Sequence, residues 1–171
     1  MSAPFRLEAL TGARDRTSFA CGQEVLDRYF QTQVTQDIRR SIAKCFVAIE
    51  AASGHTAAYY TLAATSIPLL DLPPEQSRKL PRYPAIPAVR IGRLAVGRRF
   101  HGRGIGAALL ADAARRTLGA APAAYALVVD AKNDRAVAFY RHHGFLPFLS
   151  RPRTLFLALA TAARVLLSSS L

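Results

Sequence analysis

The sequence predicts a mixed α/β domain built around one central sheet, and three observations carry that expectation. Short apolar stretches rich in β-branched and aromatic residues recur along the chain. Longer stretches with apolar residues at three- and four-residue spacing stand between some of them. The resulting order is strand, helices, three strands, helix, strand, helix, strand. With 171 residues, 51% of them apolar, the chain is long enough to bury one sizeable core, so a single domain over 1–171 is expected.

Phe5 to Ala9 reads as a first strand. The following 35 residues, from Thr11 to Cys45, read as one or two helices, with Val25, Leu26, Tyr29, Phe30 and Val34 forming one apolar face. "CFVAIEA" and "TAAYYTLAATSI" are consecutive strands separated by the turn-forming Ser53-Gly54-His55, which predicts an antiparallel hairpin. The stretch "PLLDLPPEQSRKLPRYPAIPA" holds six of the ten prolines and reads as a long surface connection, with at most one short helix near Glu75 to Leu80. Val89 to Val96 is the next strand. A helix follows from about Gly104 to Leu118, with Ala107, Leu109, Leu110, Ala113, Ala114 and Leu118 as its packing face and Gly119 as its stop. "AYALVVDA" is a buried strand. "NDRAVAFYRHHG" is a short helix that starts near Asn133 or Asp134 and ends at Gly144. "TLFLALATAARVLL" begins as a strand and finishes as a terminal helix.

Composition excludes several classes. Cys21 and Cys45 are the only cysteines, too few for a disulfide framework, and the four histidines show no metal-ligand spacing. Cys45, inside an apolar strand, reads as a core thiol. The first ten residues lack the apolar stretch of a signal peptide, and no run approaches a membrane span, so a cytoplasmic, membrane-free protein is expected. The formal charge is +12, and 20 of the 23 basic residues are arginine. Guanidinium groups match phosphate oxygens, which points to a nucleic acid or a phosphate-bearing cofactor.

"RRFHGRGIGAALLADAARR", residues 98–116, places Gly102, Gly104 and Gly106 between a strand and a helix start. Unpaired amides of a first helical turn and the helix dipole together favour an anion there, and glycines let the backbone approach it. The dinucleotide-binding order G-x-G-x-x-G is absent, as is the P-loop pattern.

"RIGRLAVGRRFHGRGIGAALLADAARR" resembles the strand-to-helix core of the GNAT N-acetyltransferases, whose Arg/Gln-x-x-Gly-x-Gly/Ala turn binds the pyrophosphate of acetyl-coenzyme A through main-chain amides. "NDRAVAFYRHHGF" resembles the same superfamily's A-x-x-F/L-Y-x-x-x-G-F segment. More narrowly, "FACGQEVLDRYF", "RYPAIPAVRIGRLAV", "VVDAKNDRAVAFYRHHGF" and the closing apolar strand resemble the acetyltransferase toxins of type II toxin–antitoxin pairs. The chain departs from that pattern at Gly97, usually aspartate, and at His101, usually glutamine.

The resemblance implies a GNAT fold: a central, mostly antiparallel twisted sheet of six to seven strands flanked by helices. It implies acetyl-coenzyme A as co-substrate, no metal, and a coenzyme site at Leu94, Ala95, Val96, His101, Gly102, Arg103, Gly104, Ile105, Gly106, Asn133 and Phe139. Tyr140 becomes the catalytic acid, a phenol that is neutral at pH 7 and donates one directed proton. The acceptor it implies is the α-amino group of aminoacyl-tRNA, whose loss stops translation. Candidate tRNA contacts are Arg39, Arg40, Lys44, Arg78, Arg90 and Arg93. The implied partners are a ribbon-helix-helix antitoxin, a second copy of the chain in a homodimer, and operator DNA through the antitoxin complex alone. Two other readings stand beside this one: an acetyltransferase for a small amine or a protein amine, and a non-catalytic module that binds RNA or protein. His142, His143 and Glu50 are candidates for a general base only through a water that links them to the amine. The dispersed acids argue against a cationic polyamine or aminoglycoside acceptor.

Overall fold

The computed structural model of the chain describes residues 4–166. In chain order its elements are β1 (Phe5–Ala9), α1 (Glu24–Arg28), a π-helical turn (Tyr29–Gln33), α2 (Val34–Arg39), β2 (Lys44–Glu50), β3 (Thr56–Pro68), a 3-10 turn (Leu69–Asp71), α3 (Pro74–Ser77), β4 (Ala85–Val96) and a second 3-10 turn (Arg98–Phe100). There follow α4 (Ile105–Leu118), β5 (Ala126–Asp130), α5 (Asp134–His142), β6 (Leu146–Pro147), β7 (Thr154–Ala158) and α6 (Leu159–Val165). The strands form a seven-stranded sheet in the order β1-β2-β3-β4-β5-β7-β6, flanked by the helices. β4 and β5 pair in parallel, whereas β1/β2, β2/β3, β5/β7 and β6/β7 are antiparallel.

The chain contacts group into two compact units. The first holds the residues up to Ala63 together with Gly92–Asp112. One apolar cluster in it is built from Phe19, Tyr29, Phe30, Val34, Val47, Ile49 and Tyr59. Tyr59 stacks on Phe30 with ring centroids 4.4 Å apart and donates its hydroxyl to the Leu26 carbonyl at 2.7 Å. Each such side chain contributes roughly 1.5–3 kcal/mol by leaving water, and pairing the buried hydroxyl avoids a desolvation cost of similar size. Tyr60 points to the other face of the strand and donates to Asp112 Oδ2 at 2.6 Å. Both tyrosines are fully buried, so this part of β3 is covered on both faces.

The predicted single apolar helix face in this unit needs correction. Val34 donates its N–H to the Tyr29 carbonyl five residues back, the mark of a π-helical turn. That wide turn under-winds the helix and brings Val34 beneath Leu26 and Phe30, leaving Val25 at the margin, 80% exposed.

The second unit holds Ala64–Ile91 and the residues from Ala113 onward. Ile67, Leu72, Ile86, Ala88, Val128, Phe148 and Phe156 form its core. Here the sequence reading overextended the connection, because β4 begins at Ala85 rather than Val89. Ile86 and Ala88 are buried while Ala85 and Pro87 are exposed, and Pro87 stands near the start of the strand, just ahead of the stretch Ala88–Ile91 that pairs with β5, while its carbonyl accepts from Tyr125 N–H. Leu118 was expected on the packing face of α4 but is 47% exposed. Thr117 takes the inward position instead and satisfies its hydroxyl on the Ala113 carbonyl at 2.8 Å. β6, only two residues long, carries no periodicity to read. Leu167, the end of the expected terminal helix, lies outside the described residues. Among the described residues no helix is long and apolar enough to cross a membrane.

Candidate active site

In the first unit the backbone turns sharply between β4 and α4. Gly102 has φ +78° and Gly104 φ +76°, conformations that cost a side-chain-bearing residue about 1–2 kcal/mol. A Cβ built on either glycine meets nothing within 4 Å, so the glycines are required by conformation and they face open space. The α4 ladder opens with Ala108 N–H donating to the Gly104 carbonyl at 3.2 Å. The amides of Ile105, Gly106 and Ala107 therefore precede the first intrahelical bond and have no acceptor inside the helix. Ile105 buries its side chain and anchors the turn from below. An open cradle of amides at a helix start fits a pyrophosphate.

His101 opens the turn, and its ring reaches back so that Nε2 donates to the Val96 carbonyl at 2.8 Å. The carbonyl only accepts, so the hydrogen sits on Nε2. This bond ties the turn to the end of β4, a role invisible in the sequence pattern. Gly97 donates its N–H to the Ala57 carbonyl at 2.7 Å, and a Cβ at Gly97 would stand 3.2 Å from that same oxygen. The close approach of the two backbones gives the departure from aspartate a physical reason. Ala95 is buried in the apolar cluster, and Leu94 and Val96 are half-buried beside it. Arg103 is exposed, with its guanidinium over the Phe100 ring at 5.3 Å and 3.4 Å from Glu50 Oε2. Glu50 also accepts from Ser53 Oγ at 2.6 Å, which leaves it poorly placed to act as a base.

In the second unit, the elements around Tyr140 explain its placement. Asn133 caps α5 by accepting the Ala136 N–H on Oδ1 at 2.8 Å. The far end closes with Phe145 N–H on the Tyr140 carbonyl and Gly144 N–H on the Arg141 carbonyl, with Gly144 at φ +95°. That is a Schellman closure, and its usual apolar contact is present: the Tyr140 and Phe145 rings lie 5.4 Å apart. Tyr140 is thus buried and held between Phe145 and the half-buried Phe139. Burial, reinforced by the charge of Asp130, pushes its phenol up to about 12. It stays protonated throughout the physiological range. His143 packs on Phe139 at 4.8 Å, and burial with the neighbouring His142 holds it below the ordinary histidine value.

The candidate RNA contacts differ in character. Arg39, Arg40, Lys44 and Arg78 are exposed, with Arg39 and Arg78 leaning on helix carbonyls four residues back. Arg90 is ion-paired to Asp130, which also accepts from Thr154 Oγ1 at 2.7 Å. Arg93 lies on the strand face of Ala95, half-buried, with its guanidinium 3.5 Å from the Tyr29 ring centroid. Tyr29 is fixed by its bond to Asp37 Oδ2 at 2.8 Å. Among the described residues, no group of three or more His, Cys, Asp or Glu side chains is placed to hold a metal ion.

These features coincide with a family. Residues 69–145 match the model of the acetyltransferase (GNAT) family, and the chain belongs to that family. It is 36% identical over 146 residues to the tRNA-acetylating toxin of Mycobacterium tuberculosis, with 84% of each chain covered. The solved structure of AtaT complexed with acetyl-methionyl-tRNAfMet superposes with a TM-score of 0.82 at 30% identity, covering 91% of this chain and 95% of that one. A tyrosine-to-phenylalanine mutant of AtaT, bound to the C-terminus of the antitoxin AtaR and to acetyl-CoA, gives a TM-score of 0.79 at 25% identity over 99% and 100% of the two chains.

Proposed function

We propose that residues 1–171 form a single acetyltransferase domain that transfers the acetyl group of acetyl-coenzyme A to the α-amino group of aminoacyl-tRNA, and so acts as the toxin of a type II toxin–antitoxin pair. The observation that carries this reading is the amide-lined turn at Gly102–Gly106, open to an anion and set in a chain of charge +12. Its likeness to a tRNA-acetylating toxin supports the choice of acceptor.

When bound, the coenzyme supplies an acetyl group activated as a thioester. The turn amides of Ile105, Gly106 and Ala107 hold its pyrophosphate, with His101, Gly102, Arg103 and Gly104 shaping the cradle. The main chain of Leu94, Ala95 and Val96 receives the pantetheine arm, and Asn133 and Phe139 border it. Tyr140 hands its phenolic proton to the departing sulfur, a task suited to a group kept neutral by burial. The α-amino group of an aminoacyl ester has a pKa of roughly 8 or lower, so a sizeable fraction is neutral at pH 7 and no dedicated base is needed. Arg39, Arg40, Lys44 and Arg78 contact RNA phosphates, with Arg90 and Arg93 as further contacts. The protein works in the cytoplasm as a homodimer neutralised by a ribbon-helix-helix antitoxin, and it reaches operator DNA only within that complex. The AtaT complex with antitoxin AtaR supports an antitoxin partner.

The test is a cell-free translation reaction supplied with acetyl-coenzyme A. The wild-type chain is expected to stop synthesis, and mass analysis of the charged tRNA pool to reveal acetylated aminoacyl groups. Tyr140→Phe is expected to slow acetylation by about 10²- to 10⁴-fold. Unmodified tRNA across all isoacceptors would overturn the acceptor, and full activity of the mutant would overturn the role of the phenol.

A further inference from the structure

A groove of about 270 Å³ lies in the first unit, lined by Ser18, His55, Gly97, Arg98, Arg99 and Phe100. It shares Ser18 and His55 with a second groove of about 460 Å³, whose wall includes Thr56. The Thr56 hydroxyl is buried and has no hydrogen-bond partner. Phe100 joins the first groove to the coenzyme turn, since the Arg103 guanidinium lies over its ring.

The charges in this groove are unbalanced. Among the described residues neither Arg98 nor Arg99 has a carboxylate within ion-pair distance. Arg98 runs along Gly22, where a Cβ would come 3.3 Å from its Nε. Arg99 donates through a terminal nitrogen to His55 Nδ1 at 3.1 Å. Because Nδ1 accepts, the imidazole carries its hydrogen on Nε2, a further donor beside the guanidinium. The acids nearby are already engaged: Asp15 accepts from Thr17 N–H at 2.9 Å and Thr17 Oγ1 at 2.7 Å, and Glu50 accepts from Ser53 and Arg103. Two guanidiniums, one of them braced by an imidazole, form a donor set suited to a phosphate monoester.

Resting on the proposed coenzyme site, we infer that this groove binds the 3′-phosphate of coenzyme A, through Arg99 braced by His55 and through Arg98. Coenzyme A carries that monoester on the ribose next to its pyrophosphate, and the groove adjoins the pyrophosphate turn through Phe100. Coenzyme recognition then has two anchors, one made of main-chain amides and one of arginine side chains.

The test compares the affinities of coenzyme A and 3′-dephospho-coenzyme A by calorimetry on the whole chain. The wild type is expected to prefer coenzyme A by about 10-fold or more, as a charge-assisted contact provides. The double variant Arg98→Met/Arg99→Met is expected to bring the ratio near unity, and Arg99→Met and His55→Ala each to lower it part of the way, Arg99→Met the further. Arg99→Lys is expected to keep an intermediate preference. A wild-type ratio of one, or an unchanged ratio in the double variant, overturns the inference. So does a loss of tRNA affinity in the double variant with the coenzyme ratio intact, which would assign the groove to RNA phosphates. Failure of both coenzymes to bind the wild type would instead overturn the underlying coenzyme site.

Discussion

Replacing Gly104 with alanine separates conformation from contact at the turn. The residue sits at φ +76°, and a Cβ there meets nothing within 4 Å, so the change introduces no clash with the protein. The left-handed backbone costs alanine about 1–2 kcal/mol, and the stiffer unfolded chain returns about 0.4–1 kcal/mol. A net loss of about 1 kcal/mol is expected, which for a domain of this size lowers the melting temperature by roughly 2–4 °C. The same Cβ projects into open space where the proposed site places the pyrophosphate, so coenzyme affinity is expected to fall by about 10-fold or more, well beyond the effect on stability. Gly12→Ala is the control: it too meets no neighbour within 4 Å, and its φ is not in the left-handed region, so binding is expected to stay at the wild-type level and melting to rise by roughly 1–4 °C. Scanning calorimetry gives the first quantity and titration with coenzyme A the second. If Gly104→Ala melts and binds like the wild type, neither the strain nor the cradle has been assigned correctly.

Two further expectations concern regions away from the turn. Burial pushes the Cys45 thiol from about 9 up to about 12. A raised value makes the stability contribution complete below pH 9 and lost as pH climbs toward 12, so the alkaline decline in denaturant midpoint is expected to be shallower in Cys45→Ala. At pH 8 iodoacetamide is expected to leave native Cys45 unmodified and to label it in urea; rapid native labelling would contradict its burial. Changing Arg39, Arg40 and Arg78 together to glutamate is expected to weaken tRNA binding and to reduce the salt slope by roughly two to three, while coenzyme affinity holds. Equal losses for both ligands would refute separate sites.

The turn and the helix that carries Tyr140 were legible in the sequence because their constraints are local. Gly102, Gly104 and Gly144 mark left-handed positions, and Asn133 caps its own helix three residues on, so each signal lies within a few residues of its effect. The β2–β3 hairpin was readable for the same reason. The partners of the charged groups were not, because topology makes them neighbours: Arg103 meets Glu50 from 53 positions away, Arg99 meets His55 from 44, and Arg90 meets Asp130 from 40. Arg93 over Tyr29 is a further case, a strand guanidinium stacked on a ring from the first helical region. Prolines misled in the opposite direction. Pro84 and Pro87 read as breakers, yet Pro87 sits inside β4 at an outward position, and only the burial of Ile86 and Ala88 reveals the strand.

The wide turn at Tyr29–Gln33 lets the first helical region absorb a residue. It acts as a phase shifter between α1 and α2, holding one extra residue while Tyr29, Phe30 and Val34 still point the same way. Ordinary winding imposed on the turn at its present length would rotate everything downstream by about 100°. Val34 would swing away from Tyr59, and Asp37 would leave the Tyr29 hydroxyl. Deleting one residue of the turn would instead restore ordinary winding with Val34 and Asp37 on their present faces. Related chains one residue shorter in this segment therefore keep the layer beneath it without a wide turn, whereas chains of this length need one.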